Sequence, residues 1–194
     1  MTRKLSLLFV TLAAIPAAVL AQGSTSTVAP AAAPANPISA SQNKMYTMLS
    51  GVVIAAAEKM PEEHYSFKPT PEVRSFGQLV GHLADSQYFF CSSVAGESKP
   101  PADIEKSKAS KAELVAALKE AVAYCSKTYA AMTDAKGSEM MKMMNMDFAK
   151  LTVLSGNTAH DYEHYGNMVT YMRLKGIVPP TSEKSEKSSI PEPK

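Results

Sequence analysis

The 194-residue chain carries 20 lysines and arginines against 18 aspartates and glutamates. Arg3 and Lys4 fall within an apolar N-terminal segment, so its removal as a leader would leave 18 charges of each sign. A formally neutral chain has no strong electrostatic reason to bind DNA, RNA or an anionic membrane surface. We therefore expect no nucleic-acid partner.

Residues 1–21 are typical of a secretory signal peptide. A short basic start precedes an apolar run from Leu5 to Leu20, and Ala21 precedes Gln22 at the expected cleavage site. A polar segment follows directly, which argues against a membrane-spanning helix, and Gln22 stands where a lipoprotein would need cysteine. We therefore expect a periplasmic or secreted protein without stable membrane insertion after cleavage.

Two segments flank the expected folded domain. Residues 22–38 are mostly Ala, Pro, Ser and Thr and predict a flexible linker, and residues 181–194 predict a disordered tail. Both segments have little apolar surface to bury on folding. The domain itself is predicted to cover residues 39–180, which is long enough to bury one hydrophobic core.

Four amphipathic helices are predicted in this domain, because apolar residues recur every three to four positions. Their expected ranges are about 39–60, 75–95, 110–132 and 148–175. The first three begin with pairs typical of a capping box, namely Ser39 with Gln42, Ser75 with Gln78, and Ser110 with Glu113. Four such helices bury their apolar faces most simply as an all-α four-helix bundle.

The last helix carries two of the four histidines, His160 and His164, on the face that holds its apolar residues. Side chains four apart on a helix could bind one metal ion if a neighbouring helix supplied a third ligand. His82 lies within the apolar second helix and is the better candidate, because His64 lies in a polar, proline-bracketed loop. The alternative is that these are ordinary buried or capping histidines.

Five stretches of the sequence match a known family pattern: Tyr65-Ser66-Phe67-Lys68-Pro69, Arg74-Ser75-Phe76-Gly77, Gly81-His82-Leu83-Ala84-Asp85, His160 to Gly166, and Tyr171-Met172-Arg173 with Gly176. Over residues 45–180 the chain resembles the DinB/YfiT-like superfamily of metal-dependent four-helix-bundle proteins. The resemblance implies a divalent-metal site formed by one histidine of the second helix and two of the last. The matching positions are His82, His160 and His164. Zinc is the expected ion, with nickel, iron or manganese as alternatives.

The last-helix motif departs from the commonest pattern of that family, which reads HxxHHRGQ. Glu163 stands before the final ligand position, and Tyr165-Gly166-Asn167 replaces Arg-Gly-Gln. The substrate specificity of relatives that use the arginine therefore does not transfer to this chain. Some members of the family work with the cytoplasmic thiols bacillithiol or mycothiol, which an exported protein would not meet.

Other polar residues near the predicted ligands could take part in the site. Asp85, one helical turn after His82, is the candidate catalytic residue; it could be a base, a fourth ligand or a partner of a ligand, with a solvated carboxylate as the alternative. Asn157 and Tyr171 share the helix face of the ligands and could line the site or pack in the core. Glu163 is predicted to point away from the site.

A methionine-rich run occupies residues 140–146. Its thioethers could bind Cu(I) in an exported protein, or they could form an adaptable lid over one end of the bundle, since methionine fills irregular gaps and makes sticky surfaces. Lid, interface and soft-metal site all stay open as interpretations of this segment.

The two cysteines, Cys91 and Cys125, are predicted to form a disulfide between the second and third helices, because export leads to an oxidising compartment. Antiparallel packing would not bring them level, since both lie in the C-terminal halves of their helices. An axial offset or a longer crossover through residues 96–109 would permit the bond. A buried free thiol at Cys125 is the alternative.

These features favour an exported metal-dependent hydrolase or transferase that acts on an unidentified small molecule. Three neutral histidines leave coordination positions open for water and substrate. The alternative is a non-catalytic metal-binding or interaction module of the cell envelope, which a fourth protein ligand would favour. A homodimer is also compatible with the sequence.

Overall fold

The computed structural model describes residues 35–100 and 103–183. The predicted signal peptide, residues 22–34 of the linker and residues 184–194 of the tail lie outside the described residues. The helices are α1 (Pro37–Lys59), α2 (Phe76–Ala95), α3 (Ile104–Ser107), α4 (Lys111–Ala130), α5 (Asp134–Gly137) and α6 (Lys150–Leu174). Strands β1 (Met140–Met143) and β2 (Met146–Ala149) form a hairpin, and single 3-10 turns cover Glu62–His64 and Pro180–Ser182.

The four long helices pack around one core, as predicted. α1 and α2 each pack against both α4 and α6. α6 runs antiparallel to α2. Gln87 of α2 is hydrogen-bonded to Asn157 early in α6, whereas His82, earlier in α2, lies against His164, later in α6. None of the helices within the described ranges combines the length and apolar character needed to cross a membrane.

α2 and α4 run in the same direction. Gly77 and Leu114 are neighbours near the starts of the two helices, and Cys91 and Cys125 are bonded towards their ends. The predicted disulfide is therefore confirmed, with its Cα atoms 5.2 Å apart. The longer crossover permits it, because the connection after α2 returns along the bundle before α4 begins. This returning segment also places α3 against α2.

The helix starts agree with the sequence at α2 and α4 but not at α1. Ser75 and Ser110 both form the complete capping box. The capping box expected at Ser39 is wrong, because α1 begins at Pro37 and Asn36 makes no side-chain cap. The amide and hydroxyl of Ser39 instead donate to Asp134 Oδ1, each at 2.8 Å. The carboxylate of Asp134, distant in sequence, thus accepts the hydrogen bonds of the first turn of α1.

We expect Asp134→Ala to lower the thermal midpoint at pH 7, because it removes the acceptor for the first amides of α1. Hydrogen bonds from the amide and hydroxyl of Ser39 and the amide of Ile38 hold the pKa of Asp134 below its ordinary value. A depressed carboxyl pKa adds stability above the unfolded pKa of about 3.9, and this stability is lost as pH falls through the folded pKa. The difference from the wild type should therefore shrink in acid. Asp147→Ala, which removes an exposed hairpin carboxylate, is the matched control, and equal midpoints for the two variants at pH 7 would contradict the assignment.

The methionine-rich run forms the β-hairpin, which the all-α prediction did not include. Met143 pairs with Met146 across the turn, and the turn residues Met144 and Asn145 have φ of 49° and 63°. Asparagine tolerates this left-handed backbone, as two-residue hairpin turns require. Met143 is buried, whereas Met140, Met144 and Met146 are exposed. The segment escaped detection because unbranched methionines carry no alternating polar pattern.

Candidate metal centre

Three histidines meet between α2 and α6. Nε2 of His160 lies 3.1 Å from Nε2 of His82 and 3.1 Å from Nε2 of His164. One nitrogen from each ring lies within 4.8 Å of the other two. The predicted convergence is confirmed, and within the described residues His64 ends a 3-10 turn outside this cluster.

Two of the three nitrogen separations in this histidine cluster suit one shared divalent ion. Nitrogens bound tetrahedrally at about 2.0–2.1 Å from zinc lie about 3.3 Å apart, close to the 3.1 Å from His160 to each of the other two rings. The separation between His82 and His164 lies within 4.8 Å. A neutral imidazole has a single N–H, so three facing nitrogens cannot all be satisfied by hydrogen bonds among themselves. A cation held by His82, His160 and His164 would use all three lone pairs.

Burial keeps the three imidazoles neutral at pH 7. It lowers the pKa of His160 to about 4, with the neighbouring His164 adding to the effect. Burial is also the main reason that the pKa values of His82 and His164 are lowered, and the positive charge of Arg74 lowers both further. Neutral imidazole is the form that offers a lone pair to a metal ion.

The second ring nitrogens of the three histidines have different surroundings. Nδ1 of His82 lies 3.2 Å from Oε2 of Glu105. Nδ1 of His164 lies 3.4 Å from the amide of Asn167, and Nδ1 of His160 is buried without a hydrogen-bond partner among the described residues. Of the three rings, His82 is thus the one whose Nδ1 faces a carboxylate. No sequence signal pointed to Glu105, because it lies in a separate short helix.

An open cavity of about 600 Å³ adjoins the cluster at His164. Its polar lining includes Lys68, Arg74, Glu105, Glu163, Asn167 and Tyr171. Glu163 was predicted to point away from the site but lies in this lining, because the cavity extends along α6 beyond the ligand face. The cavity can bring a small molecule to the edge of the histidine cluster.

Asp85 contacts α3 in this structure. Its two carboxylate oxygens accept hydrogen bonds from the amides of Ile104 and Glu105, each at 3.0 Å. The carboxylate therefore holds α3 on α2, and a catalytic role for Asp85 stays a prediction. Of the other candidates, Tyr171 lines the cavity and donates to the carbonyl of Arg74 at 2.9 Å.

A buried polar network lies beneath the histidines and was not anticipated from the sequence. Gln87 donates to both oxygens of Asp161 at 2.8 and 3.0 Å, and its own oxygen accepts from Tyr46 and Asn157. Burial raises the pKa of Asp161 to about 7, although the bonds from Gln87 oppose the shift. Asn157 thus packs in the core rather than lining the open side of the site.

Comparison with known proteins yields a family and two similar folds. A family model described as the DinB superfamily matches residues 49–168, which include all three histidines of the cluster. The chain is similar to a DinB-like protein of Bacillus cereus ATCC 10987, with TM-score 0.65, 14% identity, and coverage of 72% of this chain and 93% of that one. It is also similar to the DinB-like protein YjoA of Bacillus subtilis, with TM-score 0.59, 18% identity, and coverage of 75% and 99% respectively. No curated protein matches the chain.

Proposed function

Because this chain belongs to the DinB superfamily, we propose that it holds one divalent metal ion through His82, His160 and His164. The observation that carries the proposal is the meeting of three Nε2 atoms, with that of His160 3.1 Å from each of the other two. Zinc is the ion that we propose, since neutral imidazoles suit it well. Nickel, iron and manganese are the alternatives.

The proposed reaction is hydrolysis or group transfer on a small molecule. An ion bound by three histidines supplies Lewis-acid chemistry and makes water a stronger nucleophile near neutral pH. The chain itself would bind the substrate in the cavity beside His164, where Arg74 and Lys68 offer positive charge. Glu163 lies exposed in the same lining, on the helix that carries His160 and His164, and would accept a proton from the reacting group.

A non-catalytic metal-binding or interaction module of the cell envelope is the second candidate. The observation that favours it is that Glu105, which contacts His82, and Asp85, one helical turn after it, are both engaged in other contacts. Glu105 pairs with Arg74 through one oxygen and faces the His82 ring with the other, while Asp85 holds the amides of α3. Turnover would then have to rely on another carboxylate of the lining, such as Glu163, or on the substrate itself.

We also propose that the protein acts in the periplasm or outside the cell. The disulfide between Cys91 and Cys125 supports this location, because such bonds persist in oxidising compartments and are rare in the cytosol. A small molecule is the proposed partner rather than nucleic acid, since the cavity lining carries charges of both signs. We also propose that the chain forms a homodimer, although binding of a small molecule in the cavity does not require one.

Elemental analysis of the purified protein should find about one equivalent of divalent metal per chain. Small esters, amides and thiol adducts can then be screened for turnover that a chelator removes and added metal restores. Stoichiometric metal without any turnover would favour the non-catalytic module. Activity that survives complete metal removal would place the chemistry elsewhere, and a chain without metal after incubation with zinc would overturn the site.

A further inference from the structure

We propose that Glu105 is the positioning residue for His82 and that it sets which ring nitrogen faces the metal. This inference rests on the proposed metal site. Oε2 of Glu105 lies 3.2 Å from Nδ1 of His82, on the opposite side of the ring from the Nε2 atom that meets His160. A neutral imidazole carries one proton, so a proton kept on Nδ1 by the carboxylate leaves the Nε2 lone pair free.

The carboxylate of Glu105 is held in place from two directions. Nε of Arg74 donates to its other oxygen, Oε1, at 2.9 Å. The backbone of Glu105 is held by Asp85, whose carboxylate accepts hydrogen bonds from the amides of Ile104 and Glu105 at 3.0 Å each. The side chain of Ile104 is buried in the core beside them. Glu105 is therefore oriented before any ion binds.

Gly81 makes the close approach of α3 possible. A Cβ atom at Gly81 would lie 2.6 Å from Cα and 2.9 Å from the backbone nitrogen of Glu105. These distances are shorter than carbon atoms in contact tolerate, and the obstructing atoms are backbone. Any side chain at Gly81 would push α3 outward and carry the carboxylate away from the adjacent His82. Gly81 and Asp85 thus hold Glu105 beside His82, the proposed metal ligand that lies between them in the sequence.

A purely structural ion pair between Glu105 and Arg74 is the competing explanation. Arg74 is exposed and Glu105 is half-buried, and an ion pair open to solvent on one side contributes little to folding. The pair alone would not require Oε2 to face an imidazole. Of the three rings, only His82 has a negatively charged group at Nδ1 within the described part of the chain. Nδ1 of His164 faces the neutral amide of Asn167, and Nδ1 of His160 has no partner among the described residues. Loss of the carboxylate should therefore affect metal affinity more than stability.

Zinc affinity, measured by competition with a chromophoric chelator, tests the proposal. Glu105→Ala should weaken zinc binding by about 10–100-fold, and Glu105→Gln should weaken it less because an acceptor oxygen remains. Gly81→Ala, which keeps the Glu105 side chain but displaces its backbone, should also weaken binding. Glu63→Gln, which removes the charge of an exposed carboxylate outside the cavity lining, is the matched control and should bind zinc as the wild type does. Thermal midpoints of the metal-free proteins report any general loss of folding.

The tautomer of His82 gives a readout that needs no metal. In ¹⁵N-labelled metal-free protein, the wild type should hold the His82 proton on Nδ1, and Glu105→Ala should move it to Nε2 in part or completely. Wild-type protein that binds no zinc would overturn the proposed function, while the tautomer would still decide the role of Glu105. An unchanged tautomer in Glu105→Ala, or an affinity within about twofold of the wild type, would overturn the positioning role alone.

Discussion

Replacing His160 by alanine is expected to abolish stoichiometric metal binding. Its Nε2 lies 3.1 Å from both of the other proposed ligand atoms, so His160 is the ring that joins His82 to His164. Loss of a direct ligand should cost more than the 10–100-fold typical of outer partners, so we expect the affinity for zinc to fall by more than about 100-fold. Elemental analysis and chelator competition on purified variants measure this directly.

His164→Ala should have the same effect, and His64→Ala is the matched control. His64 belongs to the 3-10 turn before α2 and takes no part in the cluster, so its variant should retain the wild-type metal content. Circular dichroism and thermal melts of the metal-free proteins show whether each variant has folded. Full metal content in both His160→Ala and His164→Ala would reject the assigned ligands.

Removal of the disulfide should produce the largest loss of stability. The Cys91–Cys125 bond closes a loop with a sequence separation of 34. In the chain-entropy account a closed loop of this size restricts the unfolded chain and stabilises the fold by about 3–4 kcal/mol. Both cysteines are fully buried between α2 and α4. Cys91→Ala/Cys125→Ala should therefore lower the free energy of unfolding by this amount in urea titrations.

Wild-type protein unfolded in the presence of a strong reductant is the control for that double variant. If the cross-link rather than lost packing causes the effect, the reduced wild type and the double variant should unfold at similar urea concentrations. Mass spectrometry of alkylated, unreduced protein should show no labelled thiol on either cysteine. Two labelled thiols, or equal stability of the oxidised wild type and the double variant, would contradict the prediction.

The sequence alone determined the features that depend on local chemistry. Apolar spacing predicted the four long helices, because a helix must bury one face wherever it packs. Ser75 and Ser110 cap their helices with partners only three residues away, so their pattern was sufficient. The family resemblance identified the ligand positions, and the spacing of His160 and His164 placed both rings on one helix face.

Only the tertiary structure decided features that join residues distant in the chain. The shared direction of α2 and α4 follows from the crossover between them, and it brings Cys91 level with Cys125. The same crossover lays α3 on Gly81 and thereby sets Glu105 beside His82. Helical periodicity specifies which face of a helix is buried but not which neighbour covers it or in which direction that neighbour runs. The surroundings of each histidine therefore depend on packing that no local pattern encodes.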